Sequence, residues 1–137
     1  HSSHPTPMLI GLMQKYSNNF MAETLFKSLD LGDDPATWAG ATEAVRSFLD
    51  KVGLKRDSYK LTNGSGLYDA NEVSAAQLTR VLTYMAGRHD LWPEYLASFA
   101  NAGVDGTLVR RMRGTAAESV ARGKTGTLNG VSSLSGT

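Results

Sequence analysis

The stretch SVARGKTGTLNGVSSL, residues 119–134, carries the clearest indication of the fold. Ser119 to Arg122 and Thr125 to Leu128 alternate in the manner of a strand, and Val131 to Leu134 has the character of a return strand. Asn129-Gly130 between them is a preferred two-residue hairpin turn, because both residues tolerate left-handed backbone. A hairpin alone is marginal in water, so the sequence predicts an antiparallel sheet with further strands beside it.

The first two-thirds of the chain is predicted to be helical, because apolar residues recur there at three- and four-residue spacing. The predicted apolar faces run from Met8 to Tyr16, from Phe20 to Leu29 with an end near Gly32, from Trp38 to Val52 and from Leu78 to Met85, and a shorter helix covers Pro93 to Phe99. The expected boundary residues are Asn19, Asp34 with Pro35, Gly53, Ser74 with Gln77, and Gly87. The fold class is therefore α/β in the mixed sense, a helical cluster beside an antiparallel sheet.

Composition narrows the function classes. The 137 residues are 41% hydrophobic and 20% charged, which is typical of one globular domain. A formal net charge of +1 is too small for a typical nucleic-acid binder, so no nucleic-acid partner is expected. The chain has no cysteine, which excludes disulfides and cysteine-ligated metal sites. Its most apolar stretch, Met8 to Met13, is far too short for a membrane span.

Lys124-Thr125-Gly126 places a cation, a hydroxyl and bare backbone next to one another on the first predicted strand. The ammonium and the hydroxyl could hold an anionic carboxylate, while Gly126 would let a ligand approach the main chain. The alternative is an exposed strand with an incidental lysine. A phosphate-binding P-loop is excluded, because the position that needs glycine is Glu118 and strand rather than helix follows.

Ser17-Asn18-Asn19 lies between the first two predicted helices. A serine and an asparagine two positions apart on such a turn can direct both side chains into one cleft. Both residue types are also good turn and cap residues without any chemical role. By itself this triplet favours that second interpretation.

In combination, Ser-x-Asn on an inter-helix turn and Lys-Thr-Gly on a later strand resemble the active-site signature of the penicillin-recognising serine enzymes. Further stretches narrow the resemblance, over nearly the whole chain, to the D-alanyl-D-alanine carboxypeptidases of the class C low-molecular-mass penicillin-binding proteins. These stretches are Asn63-Gly64-Ser65-Gly66-Leu67 with Asn71, Gly106-Thr107-Leu108 with Arg111, and Gly123-Lys124-Thr125-Gly126-Thr127-Leu128. The resemblance implies a β-lactamase/transpeptidase-like fold.

The chain departs from the family pattern in two respects. The family usually has Asp at the position of Asn63 and Ser-Arg at Tyr68-Asp69. Its nucleophile lies in Ser-x-x-Lys, and no serine here precedes a lysine at that spacing; Thr24 and Lys27 have the spacing but lie within a predicted helix. We therefore expect residues 1–137 to be the C-terminal part of one penicillin-binding catalytic domain. This part would lack the nucleophile and the final sheet and helix elements, and would be inactive by itself.

The resemblance implies roles for the residues that are present. The missing serine would attack a peptide ending in D-Ala-D-Ala to give an acyl-enzyme that water hydrolyses, and β-lactams would acylate the same serine. Ser17 would relay a proton to the leaving nitrogen, and Asn19 would orient the catalytic lysine and bind the substrate amide. Lys124, Thr125 and Gly126 would receive the terminal carboxylate, and the Thr127 N–H would form half of the oxyanion hole. No cofactor or metal is implied.

Alternatives stay open at this stage. The carboxypeptidase could also act as an endopeptidase. A serine β-lactamase shares both short motifs, a non-catalytic carboxylate- or peptide-binding module would need only the Lys124 strand, and a helical interaction domain would leave both motifs as coincidence. The exposed sheet edge could also support a dimer or strand exchange. The expected partners are otherwise peptidoglycan stem peptides and β-lactams, and the substrate implies the periplasm or cell envelope.

The remaining candidates are weaker. His1 and His4 could bind metal but lack a third ligand. Arg110, Arg111 and Arg113 form a small basic cluster, and His89 is expected to be a surface residue.

Overall fold

The computed structural model describes residues 3–32, 35–68 and 70–137. The elements found there are helices α1 (Thr6–Tyr16), α2 (Asn19–Lys27), α3 (Trp38–Val52), α4 (Ala75–Ala86) and α5 (Trp92–Ser98), and strands β1 (Ala100–Asn101), β2 (Arg122–Leu128) and β3 (Val131–Gly136). Single 3₁₀ turns lie at Arg56–Ser58 and Gly106–Leu108. No helix in the described ranges is long and apolar enough to cross a membrane. The chain forms two compact units: Asn19–Tyr84 is one, and the described residues up to Asn18 with Met85–Thr137 are the other.

The predicted hairpin is confirmed. β2 and β3 pair antiparallel with Leu128 opposite Val131, and of the two turn residues Gly130 alone is left-handed, with a φ of 75°. β1 pairs antiparallel with the other edge of β2, so the strand that carries Lys124 is central in the described sheet, whose order is β1-β2-β3. The strand predicted from Ser119 begins only at Arg122, so this prediction is wrong for the residues before it. Ser119 has a φ of 63°, which is not compatible with a strand.

The unit that holds the sheet has a small apolar core. α1 packs on α5, and the turn at Gly106–Leu108 contacts both α1 and β2. The buried residues of this core are Phe99, Ala100, Ala102 and Leu108. Leu108 is 1% exposed, and burying a side chain of that size contributes about 2 kcal/mol. The core therefore fixes the turn against the strand.

The helical unit has its own core. α2 packs against α3, and the Phe26 and Trp38 rings stack with centroids 6.1 Å apart. The buried apolar residues are Phe26, Ala41, Val52 and Leu54. Gly53 ends α3 in the left-handed conformation, as predicted, and its N–H bonds back to the helix.

Two predicted helix boundaries are wrong. α3 begins at Trp38 rather than at Pro35, because the Thr37 hydroxyl caps it by accepting from the Gly40 N–H at 3.0 Å. The predicted cap Asp34 lies outside the described residues. α2 ends at Lys27 rather than near Gly32, because Asp30 accepts hydrogen bonds from the Thr37 N–H and hydroxyl and so draws the chain towards the next helix.

α4 has the predicted start but not the predicted burial. The Ser74 N–H donates to the Gln77 side chain at 2.8 Å and the Gln77 N–H to the Ser74 hydroxyl, which confirms the capping box. The face from Leu78 to Met85 was expected to be buried, yet Leu78 is exposed and no residue of α4 is fully buried. Within the described residues, too little chain packs on this helix to cover its apolar face.

Candidate active site

Ser17 follows the last residue of α1 and has an unusual backbone. Its φ of 55° and ψ of 49° lie in the left-handed region, and its N–H donates to the Met13 carbonyl. This ends the helix and turns the next residue away from the helix axis. A left-handed residue that is not glycine costs about 1 kcal/mol, so the conformation is held by its surroundings.

The Ser17 side chain meets the central strand. Nζ of Lys124 donates to Oγ of Ser17 at 2.7 Å and also to the Thr125 carbonyl. Burial lowers the pKa of the Lys124 ammonium, because desolvation disfavours the charged form. Among the described residues no carboxylate forms an ion pair with Lys124. A partly desolvated cation without a counter-ion is suited to receive an anionic ligand.

Thr125, the next predicted site residue, has a hydroxyl partner that the sequence did not indicate. Its Oγ1 lies 2.8 Å from Oγ1 of Thr107 in the Gly106–Leu108 turn. In the sequence, Thr107 is only part of a stretch that resembles the family, and no role follows for it. A contact across 18 residues leaves no periodic signal that could have revealed it.

A second unpredicted interaction ties the end of α1 to the same turn. Lys15 forms an ion pair with Asp105, whose other oxygen accepts from the Asn101 N–H at 2.8 Å. Burial opposes ionisation of Asp105, but the hydrogen bonds from Lys15 and Asn101 and the nearby charge of Arg122 lower its pKa overall. These contacts join α1, β1 and the Gly106–Leu108 turn beside Ser17.

Gly106 allows the close approach that this arrangement requires. Its φ is 54°, and a Cβ atom there would lie 2.5 Å from the Lys15 carbonyl oxygen. Any side chain would push the turn away from the end of α1.

The Thr127 N–H is left unused by the β2–β3 ladder. Arg122 and Thr137 exchange both backbone hydrogen bonds, and hydrogen-bonded pairs alternate along an antiparallel ladder. By the observed register, Gly126 opposite Ser133 is such a pair and Thr127 opposite Ser132 is not. The Thr127 N–H therefore points away from β3, on the side where β1 reaches only to Gly123. Its role as an oxyanion donor stays a prediction.

Gly126 faces a cross-strand neighbour. A Cβ atom at this position would lie 2.5 Å from the Ser133 hydroxyl oxygen. Its role in admitting a ligand to the main chain stays a prediction.

Asn19 is the first residue of α2 and belongs to the helical unit. It lines a cleft of about 850 Å³ together with Glu23, Trp38 and Asn63. The wall of this cleft is mainly apolar, with Phe20 and Tyr68 exposed along it. The predicted roles of Asn19 towards substrate and lysine stay predictions.

The loop from Asn63 to Leu67 is fixed by its own amides and by α2. The Asn63 side chain accepts from the Gly66 N–H and donates to the Leu67 carbonyl, and Asn71 bonds to Asn63 from the other side. The Glu23 carboxylate accepts from the Ser65 N–H at 2.9 Å and from the Gly64 N–H at 3.3 Å. Asn63 thus supports the loop where the family usually has Asp, and the loop borders the same cleft as Asn19. Asp69 lies outside the described residues.

The weaker candidates gain no support. His1 lies outside the described residues, and in the part of the chain that the structure describes no group of three potential metal ligands occurs. Arg110, Arg111 and Arg113 are exposed, as is His89.

Comparison with known proteins shows which family of sequences this chain resembles. The D-Ala-D-Ala carboxypeptidase 3 (S13) family matches residues 1–137. The chain is 39% identical to a D-alanyl-D-alanine carboxypeptidase of Actinomadura sp. strain R39, over 99% of this chain and 26% of that protein. It is 36% identical to the D-alanyl-D-alanine carboxypeptidase DacB of Haemophilus influenzae, over 99% of this chain and 29% of that protein.

Solved structures of the same kind of protein are also similar to this chain. Penicillin-binding protein 4 of Haemophilus influenzae matches with a TM-score of 0.90 at 35% identity, over 99% of this chain and 31% of that one. The same protein in complex with a β-lactam matches with a TM-score of 0.88 at 34% identity, over 99% and 32% of the two chains. These matches confirm the expected mixed α/β, transpeptidase-like fold. The chain spans about a quarter to a third of the length of these relatives.

Proposed function

The chain belongs to the D-Ala-D-Ala carboxypeptidase 3 (S13) family, and from this premise we propose that it contributes half of the active site of a serine-type D-Ala-D-Ala carboxypeptidase. The substrate would be a peptidoglycan stem peptide ending in D-Ala-D-Ala, cleaved through an acyl-enzyme. The observation that carries the proposal is the 2.7 Å hydrogen bond between the Lys124 ammonium and the Ser17 hydroxyl. It brings Ser17 of the first predicted motif next to Lys124 of the second.

We propose further that residues 1–137 are the C-terminal part of a catalytic domain whose nucleophile lies in another part of the full-length protein. The short share of each relative that this chain covers supports this, as does the absence of Ser-x-x-Lys from the sequence. The chain alone would then bind substrate weakly and would form no acyl adduct.

Proton transfer to the leaving group is the role that fits Ser17. When the serine oxygen attacks the carbonyl carbon and the C–N bond breaks, the leaving D-alanine nitrogen needs a proton. The Ser17 oxygen accepts a hydrogen bond from Lys124, which leaves its own proton free to be donated. Ser17 would then take up the proton that the general base removes from the attacking serine, so that it relays a proton and ends neutral, while the ammonium stabilises negative charge on its oxygen during the relay.

Lys124 and Thr125 are suited to bind the terminal carboxylate of the peptide. The ammonium supplies charge and the Thr125 hydroxyl supplies a directed donor. The Thr127 N–H, directed away from β3, would donate to the carbonyl oxygen as it becomes an oxyanion. The nucleophile's own N–H would be the other donor, as the family resemblance implies.

Penicillin labelling of the full-length protein tests this proposal. We expect a fluorescent penicillin to label the full-length protein, and Lys124→Ala to reduce the labelling rate by roughly a hundredfold or more, as loss of a transition-state charge does. Lys51→Ala, which removes an exposed lysine on α3, is the matched control and should label normally. Undiminished labelling of Lys124→Ala would overturn the assignment of Lys124.

The lifetime of the acyl adduct separates a carboxypeptidase from a β-lactamase. A long-lived adduct supports the carboxypeptidase, since β-lactams then act as inhibitors that block water attack. Rapid release of hydrolysed penicillin would mean that the protein is a β-lactamase instead.

Two coarser expectations are also proposals. Because the proposed substrate is peptidoglycan, the full-length protein would lie in the bacterial cell envelope, and in the periplasm of bacteria that have one. Cell fractionation with a penicillin label tests this.

The outer edge of β3, with Val131 and Leu134 half-exposed, could pair with a second copy. Ser132→Pro would block that edge, because the Ser132 N–H points away from β2. A dimer in light scattering that Ser132→Pro abolishes supports edge pairing; a strict monomer contradicts it.

A further inference from the structure

Thr107 is held in place from several directions although its side chain is exposed. Leu108, the next residue, is almost fully buried, and its carbonyl accepts from the Gly103 N–H at 3.0 Å. On the other side, Asp105 is fixed by Lys15 and by the Asn101 N–H. An exposed threonine on such a constrained backbone has a defined position, although no substrate role has been assigned to it.

The Thr107 side chain forms a hydrogen bond with Thr125. Without ligand the Thr125 hydroxyl donates to Oγ1 of Thr107 at 2.8 Å, a normal O–H···O distance, and rotation of the two hydroxyls would reverse the direction. Each hydroxyl has one proton to donate and two lone pairs to accept with, so only one of the two can donate within the pair. The direction of this bond therefore decides what Thr125 can offer to a ligand.

A carboxylate can only accept hydrogen bonds. If Thr125 is to hold one, its proton must point at the ligand, and it can then bond to Thr107 only as an acceptor. A Thr107 proton donated to Thr125 polarises the Thr125 hydroxyl and strengthens its bond to the anion. Without ligand, the same pair keeps Thr125 in one rotamer, which limits the entropy lost on binding.

We propose that Thr107 is a positioning residue, which orients the Thr125 hydroxyl towards the carboxylate of the substrate or β-lactam. This rests on the proposed function, because it requires that Thr125 binds a carboxylate. Thr107 itself need not touch the ligand. The Gly106-Thr107-Leu108 stretch thereby has a chemical role: Gly106 admits the turn beneath α1, Leu108 anchors it, and Thr107 presents the hydroxyl.

The test uses the full-length protein and two ligands that differ only in the carboxylate. We would measure the second-order rate of acylation by benzylpenicillin and by its methyl ester, and take the ratio of the two rates as the carboxylate preference. The variants are Thr107→Val, which removes the hydroxyl and keeps the shape, Thr107→Ser, which keeps the hydroxyl, and Thr125→Val. Thr79→Val, which removes an exposed hydroxyl on α4, is the matched control.

We expect Thr107→Val to lower the carboxylate preference by roughly threefold to tenfold, the size of one hydrogen bond. Thr107→Ser should retain most of the preference, and Thr79→Val all of it. In a Thr125→Val background, Thr107→Val should have no further effect, because it acts through Thr125. The methyl ester rate reports on folding and on the nucleophile, so a misfolded variant would lose both rates together.

The outcomes separate the inference from the function on which it rests. If Thr125→Val lowers the carboxylate preference and Thr107→Val does not, the positioning role is wrong and the proposed function stands. If Thr107→Val lowers the preference equally with and without the Thr125 hydroxyl, Thr107 acts on the ligand directly and the inference is again wrong. If Thr125→Val leaves the preference unchanged, the carboxylate site itself is misassigned and both proposals fail.

Discussion

Nζ of Lys124 lies 2.7 Å from Oγ of Ser17, although 107 positions separate the two residues along the chain. The contact depends on two local departures from regular structure. The backbone of Ser17 is left-handed at the end of a helix. Lys124 lies on a central strand, and its ammonium group is partly desolvated. Neither departure favours stability, which is common where a side chain is positioned for chemistry.

The left-handed backbone of Ser17 predicts a stability difference between two variants. Ser17→Gly and Ser17→Ala both remove the hydroxyl, but glycine alone adopts a φ of 55° without strain. We expect Ser17→Gly to have a free energy of unfolding about 1 kcal/mol higher than Ser17→Ala, measured by urea denaturation. Equal stabilities would contradict the observed backbone conformation.

Burial of Lys124 predicts how stability depends on pH at the alkaline end. Because its pKa is lower in the folded than in the unfolded chain, the folded state binds fewer protons between the two pKa values. Stability should therefore rise as pH increases through that window, up to the ordinary lysine value. Lys124→Met should lack this rise. An NMR titration of the Lys124 Cε signal provides the direct check, and a midpoint at or above that of the urea-unfolded chain would refute it.

Asp105 predicts a dependence of the same sign at the acid end, where stability again rises with pH. Its pKa is lowered in the folded state, so its contribution is complete above the unfolded value and is lost as pH falls through the folded one. Asp105→Asn keeps an acceptor for Asn101 but loses the charge. We expect it to lower the free energy of unfolding at neutral pH by about 1 kcal/mol, a modest value since the two side chains of the pair are 24% and 32% exposed.

The same variant should also flatten the loss of stability below about pH 4, where free aspartate titrates. Asp57→Asn is the matched control, because it removes an exposed carboxylate that has none of the ion pairs found among the described residues. Urea titrations across pH would test both variants. An unchanged acid profile in Asp105→Asn would show that this ion pair does not contribute.

Two glycines should respond oppositely to alanine. At Gly64 a Cβ atom would lie 2.6 Å from Cβ of Phe26 and 2.7 Å from the Ala22 carbonyl oxygen. Gly64→Ala should therefore lower stability by about 1–3 kcal/mol through overpacking. Gly11 lies within α1 with nothing near its Cβ position, so Gly11→Ala should raise stability by about 0.5–1 kcal/mol. Thermal denaturation compares them, and a tolerated Gly64→Ala would mean that the loop packs less closely on α2.

The sequence predicted the elements whose signals are local. The hairpin at Asn129-Gly130, the capping box at Ser74 and the glycine end of α3 each depend on residues within a few positions of one another. The start of α3 was misplaced because Pro35 and Thr37 are both good helix-start residues, and the choice between them depends on Asp30. β1 was missed because two residues are too few to show an alternating pattern.

For the candidate site, the sequence identified the residues expected to bear the chemistry but not those that hold them. Ser17, Lys124 and Thr125 were singled out by residue type and by resemblance. Lys15 and Asp105 were not, because an ion pair between residues 90 positions apart has no counterpart in composition or periodicity. Partners of this kind become visible only once the fold is known.

The two-residue turn at Asn129-Gly130 has a consequence beyond closing the hairpin. The length of this turn determines which residues of β2 form hydrogen-bonded pairs with β3. The backbone amides of the other β2 residues are left free to bind a ligand. Shifting the register by one residue would exchange the two sets, engaging the amide of Thr127 and releasing that of Gly126. The backbone N–H proposed as an oxyanion donor is thus left free of the ladder by the length of a turn two residues away.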